Sequence, residues 1–152
     1  MSRARLRLVI AGTLFVTWLA WLGYAVSQRN NAPVVSRAQL TAATHLLVAE
    51  VSVGPDGLPT STVKVIEVLR GENVDLTQPV EVLNLPSAMP PGANGFPGAG
   101  TYLLPVISDG RTFRVAGLPR SPGYEAVTPA RPTIYLWNDD IRAQLKGLEI
   151  IQ

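Results

Sequence analysis

Cysteine is absent from the 152 residues, and histidine occurs once, as His45. No disulfide frames the fold, no lipid can be attached through a cysteine, and the usual ligand sets for zinc and copper are missing. Nucleophilic catalysis is equally short of parts. A Cys-His pair is excluded, and a Ser-His-Asp arrangement would have to use His45 although no G-x-S-x-G elbow occurs. His45 therefore reads as a structural or surface residue at a helix-to-strand junction. No phosphate-binding glycine loop and no Asn-x-Ser/Thr acceptor is present, the latter favouring a bacterial setting.

Charge is also scarce, at 16% of residues. Three of the thirteen basic residues, Arg3, Arg5 and Arg7, precede everything else, so from Ser27 onward ten Lys and Arg face eleven Asp and Glu. A part carrying a net charge of −1 has no electrostatic footprint for nucleic acid, whose binding rests on neutralised phosphates.

What the chain does have, first of all, is a charge-free run, Leu8–Val26. Nineteen helical residues span roughly 28 Å, close to the hydrocarbon thickness of a bilayer. The arginines on its amino side are expected to stay cytoplasmic, and Trp18, Trp21 and Tyr24 crowd the far half, where amphipathic rings favour the interface. The expected organisation is a basic cytoplasmic tail at 1–7, a transmembrane signal anchor at 8–26, a linker at 27–33 and an exported domain at 34–152. That places the domain in the periplasm or outside the cell, on the inner or plasma membrane. Two other readings of the run compete: a signal peptide cleaved after Ser27, for which Ala25 and Ser27 supply small residues, and a buried core helix. The linker SQRNNAP reaches at most about 25 Å.

The exported part is long enough for one apolar core. Ser36 with Gln39 fits a capping box and Val35 with Leu40 a hydrophobic staple, predicting a short helix from Arg37 to about Thr44. From His45 the apolar period becomes two, with Leu47, Ala49, Val51 and Val53 on one face. The break Gly54–Gly57 and the run Ser61–Gly71 predict a hairpin. In that second strand the apolar parity shifts from Val63 and Val65 to Ile66 and Val68, which calls for a β-bulge or for burial on both faces. Further strands are expected at Pro79–Leu85, Thr101–Ile107 and Thr112–Gly117, the last two joined at Asp109-Gly110. Pro105 suggests an edge or a bulge. A short apolar run, Ile134–Trp137, then precedes a helix capped by Asn138, with Ile141, Leu145 and Leu148 on its buried face.

This pattern predicts a mainly β fold: a small antiparallel barrel with one short helix before the strands and one after. The succession AEV (Ala49–Val51), TVKVIEVLRG (Thr62–Gly71), VEVLNL (Val80–Leu85), a glycine-rich loop and GTYLLPV (Gly100–Val106) resembles bacterial relatives of netrin-like and tissue-inhibitor-of-metalloproteinases domains. The resemblance covers Ala42 to Ala116 and implies an OB-type barrel. The family's inhibitors reach a catalytic zinc through an amino-terminal cysteine, which this chain lacks, so inhibition by that mechanism is not implied.

Four arginines, Arg111, Arg114, Arg120 and Arg131, fall within twenty-one residues and are candidates for an anion or lipid-headgroup patch, against the plainer reading of a solvated face. Pro86–Gly100 is the longest stretch without regular signals. Its Met89 and Phe96 are candidates for a partner-binding loop, or else plugs folded back onto the barrel. Asp139-Asp140 reads as helix capping rather than as a catalytic or metal-binding pair. No catalytic, cofactor-binding or metal-binding residue is assigned and no cofactor is expected. The expected partners are the bilayer, through residues 8–26, and a membrane or envelope protein. The function expected is a membrane-anchored binding or accessory module. The alternatives are an exported hydrolase joining Glu50 or Glu67 with Asp139 or Asp140, and an envelope assembly component acting through its anchor around Gly12.

Overall fold

The computed structural model describes residues 3–27, 34–110, 112–118 and 131–151. The chain divides into two compact units, Met1–Ala32 and Pro33–Gln152.

The described part of the first unit is one helix, α1 (Arg3–Ser27), which extends the charge-free run back through the leading arginines. Its apolar window Val9–Val26 buries nothing within the structure. Its two threonine hydroxyls are satisfied inside the helix, Thr13 Oγ1 donating to Val9 O and Thr17 Oγ1 to Thr13 O, both at 2.9 Å. Both are the bonds to the carbonyl four residues earlier that a threonine readily makes within a helix.

The second unit opens with α2 (Arg37–Ala42), where Ser36 Oγ accepts from Gln39 N at 3.3 Å. Val35 and Leu40 are buried in one cluster, as the staple requires. The reciprocal half of the capping box does not form. Gln39 is fully buried instead, its amide donating to Ala116 O and Thr133 O at 2.7 Å each while its Oε1 accepts from Tyr135 Oη at 2.8 Å. Tertiary partners outcompete the local cap because an unpaired buried amide costs more than an exposed one. At the other end of α2, the Arg70 guanidinium donates to the carbonyls of Leu40 and Ala43, a cation where the helix dipole favours one.

β1 (His45–Val53) and β2 (Pro59–Arg70) form the expected hairpin across the Gly54–Leu58 turn. Pairing jumps from Ala49↔Val65 to Val48↔Glu67 and from Leu47↔Val68 to Leu46↔Arg70, so Ile66 and Leu69 are extra residues. The first irregularity falls where the apolar parity shifts. It turns Ile66 outward and returns Val68 to the inner face.

β3 is only Val80–Glu81, shorter than Pro79–Leu85, because the chain turns at Val82 into a 3-10 segment, Leu85–Ser87, with Pro86 inside it. β4 (Gly100–Asp109) and β5 (Thr112–Val115) make the second hairpin, and β6 (Tyr135–Leu136) pairs with the amino half of β4. The strand order is β3-β2-β1-β4-β5, antiparallel throughout. The two ends of this path meet at one seam: a parallel bridge joins Val82 to Phe113, and Leu83 N donates to Phe113 O at 2.9 Å. Next to it the Asn84 amide takes both backbone groups of Val115, accepting from its N at 2.7 Å and donating to its O at 3.2 Å. No continuous ladder runs along the seam, so the sheet is not closed.

Pro105 is buried in a strand flanked on both sides, not on an edge. Its carbonyl accepts from Ala116 N at 2.8 Å, past the end of β5. In an extended residue the N and C=O face the same side, so the missing N–H faces the interval between β5 and β6, where no ladder partner waits.

The sheet carries apolar side chains on both faces. Leu47, Val63, Tyr102, Leu104 and Phe113 belong to the inner core. Leu46, Leu103 and Tyr135 join Leu40 and the last helix, α3 (Asp139–Gly147), in a second core on the outer face. Two covered faces explain why TYLLPVI is nearly unbroken in its hydrophobicity. Asn138 Oδ1 caps α3 at Ile141 N (2.9 Å), and Ile141 and Leu145 are fully buried.

Candidate functional site

Below the Val82–Phe113 bridge, β3 and β5 part and leave a groove of about 630 Å³. Phe113, Val80 and Val74 supply its apolar surface, Glu72, Asp75 and Glu81 its carboxylates, and among the described residues no lysine or arginine lines it. The loop between β2 and β3 forms one wall; the first residue of β1, His45, forms part of the other.

His45 is held on three sides. Its ring stands edge-on to Phe113, with centroids 5.3 Å apart. Nε2 lies 3.1 Å from Glu72 O, and a carbonyl can only accept, so this nitrogen carries the proton. Nδ1 lies 2.8 Å from Thr44 Oγ1, an oxygen that also accepts from Ser108 N at 3.0 Å and has Val106 O within donating reach at 3.3 Å. With both nitrogens engaged, the imidazole acts as a pin joining β1 to the end of β2 and to β4. Gly71, at φ 110°, leaves room for it: a Cβ there would sit 2.1 Å from His45 Cδ2. Asp75 also has a local task, accepting from Thr77 Oγ1 at 2.6 Å and Thr77 N at 2.8 Å. These bonds hold its carboxyl below the usual carboxylate value. Among the described residues, no group of three His, Asp or Glu side chains is placed to hold a metal ion.

The predicted loop residues both turn toward the body of the domain. Phe96 packs on the Tyr102 ring at 5.2 Å between centroids and covers part of the inner core. Met89 is half-buried; its N donates to Pro132 O at 2.9 Å and its O accepts from Ile134 N at 3.2 Å. Of the arginines, Arg114 is exposed on β5, and Arg131 is exposed with its guanidinium 3.3 Å from Met89 Sδ. Arg111 and Arg120 lie outside the described residues. Glu50 makes a solvent-exposed ion pair with Lys64 at 3.8 Å, and Asp139 and Asp140 occupy the first turn of α3. Neither the groove nor two shallower clefts, one beside Glu50 and one beside Asp109, brings Glu50 or Glu67 together with Asp139 or Asp140.

Sequence reasoning missed the groove because its residues, Glu72 to Glu81, have no periodicity. It also missed the Asn84 clamp, whose one signal is an amide at the end of a β-type run.

The chain matches no family model, no curated protein and no solved structure.

Proposed function

We propose that this protein is a membrane-tethered binding or accessory module, with α1 as an uncleaved anchor and the β domain outside the cytoplasm. The observation that carries the proposal is the exposure of α1: Leu14, Phe15, Val16, Trp18 and Trp21 are each more than half exposed. Left in water, each large apolar side chain forgoes about 1.5–3 kcal/mol relative to burial. A helix that buries no part of its apolar window in protein finds an apolar phase in lipid. The arginines ahead of it favour an amino end in the cytoplasm.

For the domain we favour an OB-like barrel, open on one side. The order β3-β2-β1-β4-β5, with the last and first strands brought together in parallel at Val82 and Phe113, supports that topology. Binding then takes place at the groove where β3 and β5 part. A mixed apolar and acidic surface beside a rigid His45 pin suits a protein partner better than it suits chemistry, because both imidazole nitrogens are already committed.

The test is fractionation of the native host with a carbonate wash, followed by the mass of the retained protein. Full-length protein in the membrane supports the anchor. A soluble product beginning at Gln28 overturns it and leaves a diffusible exported domain.

A further inference from the structure

We propose that the outer face of the β4–β5 hairpin is a two-fold contact between copies of this chain. On β5, Phe113 and Val115 point into the core and Arg114 points out. On β4, Ile107 pairs with Arg114, and Asp109 pairs with Thr112. By strand alternation Ile107, Asp109, Thr112 and Arg114 share the outer face and mark the corners of a rectangle, about 4.8 Å between strands and about 6.6 Å along them. Leu83 extends the row across the seam beside Arg114, and is 47% exposed against 40% for Ile107.

Two features favour a second copy over other partners. The rectangle carries one cation and one anion at opposite corners, and among the described residues neither is in an ion pair. It is therefore complementary to itself: a two-fold rotation that exchanges Arg114 with Asp109 forms two ion pairs at once. The axis of that rotation runs close to the other two corners, so Ile107 packs on its symmetry mate and Thr112 meets its own. The surface is also ready to be covered, since the Asn84 amide has already satisfied the outward backbone groups of Val115. The patch is smaller than a standard stable interface, so the association is weak and cross-linking is the suitable readout.

The absence of native cysteine makes the test clean. Full-length Thr112→Cys, purified in mild detergent, is oxidised beside Thr41→Cys, whose exposed position lies on α2. Thr112→Cys is expected to form the disulfide dimer roughly tenfold faster, the scale two exposed ion pairs supply. Adding Arg114→Asp brings the rate down to that of the control, and adding Asp109→Arg to that variant restores it, with circular dichroism confirming that each variant is folded. Equal rates for the two single-cysteine proteins overturn the proposal, as does a charge-swapped double variant that stays at the control rate. The contact lies wholly within the β domain, so its outcome is independent of whether α1 is retained as an anchor.

Discussion

Replacing Gly71 with alanine tests the account of His45 most directly. The new Cβ would lie 2.1 Å from His45 Cδ2 and 2.6 Å from Cγ, far inside contact distance, and the backbone sits at φ 110°. The ring cannot swing aside freely, because Thr44, Glu72 and Phe113 hold it on three sides. Two costs therefore add. The positive φ costs an L-residue about 1–2 kcal/mol, and forcing the ring or the backbone to move costs about 1–3 kcal/mol, for about 2–5 kcal/mol in all. Urea unfolding of the full-length chain in mild detergent, followed by circular dichroism, measures the sum. A double-mutant cycle separates the parts. In a His45→Ala background the steric cost vanishes and only the backbone cost remains, so the two substitutions should couple by about 1–3 kcal/mol. Additivity within about 0.5 kcal/mol would refute the claim that the ring occupies this space.

Tyr135→Phe removes the hydroxyl that accepts from Ser36 N and donates to Gln39 Oε1, leaving two groups unpaired at a cost of about 1–3 kcal/mol in the same assay. Asn84→Ala opens the seam beside β5; hydrogen exchange at the Val115 amide should accelerate by roughly tenfold or more while amides in the middle of β1 keep their protection. Burial raises Tyr135, where the hydrogen bond from Ser36 partly opposes it, and raises Tyr102 likewise. Their stabilising contribution is then complete below the usual tyrosine value of about 10 and is lost as pH rises through the higher folded-state values. Alkaline titration of the urea midpoint should show that fall, and Tyr102→Phe should flatten it. For Asp75 the sign reverses: its lowered folded-state value means a contribution present above the ordinary value of 3.8 and lost as pH falls through the folded one, and Thr77→Val, which removes the hydroxyl but keeps the backbone N–H donor, should shrink that acid limb without abolishing it.

Much of the fold is legible in local patterns. The β1–β2 hairpin, the β4–β5 hairpin and α3 follow from apolar period, turn residues and an Asn cap, all of which act within a few residues. The irregularity at Ile66 could be read as well, since a lost residue of alternation leaves its trace in the parity of valines and isoleucines. Elements whose reasons lie far away in sequence were harder. Gln39 looks like a capping-box partner until Ala116, Thr133 and Tyr135 arrive around it. Pro105 looks like an edge residue until the interval between β5 and β6 is seen to face it. The candidate site was the least legible part. Met89 and Phe96 are apolar residues in a long loop, and nothing local states that Tyr102 will offer Phe96 a ring to pack on.

The sequence by itself determined the apolar run at the amino end, the absence of thiols and the single imidazole that leave no cysteine nucleophile and no usual zinc ligand set, and the alternation that commits the rest to antiparallel sheet. These are properties of composition and of short-range periodicity, so no third dimension is needed to state them. Only the tertiary structure decided where the first and last strands of the path meet, that the meeting stops after one bridge and an asparagine clamp, and that His45 is spent on holding strands together. Each depends on groups separated by 27 residues or more, His45 from Glu72 and Asn84 from Val115, and contacts at that range are chosen by the packing of the whole domain rather than by any stretch of it.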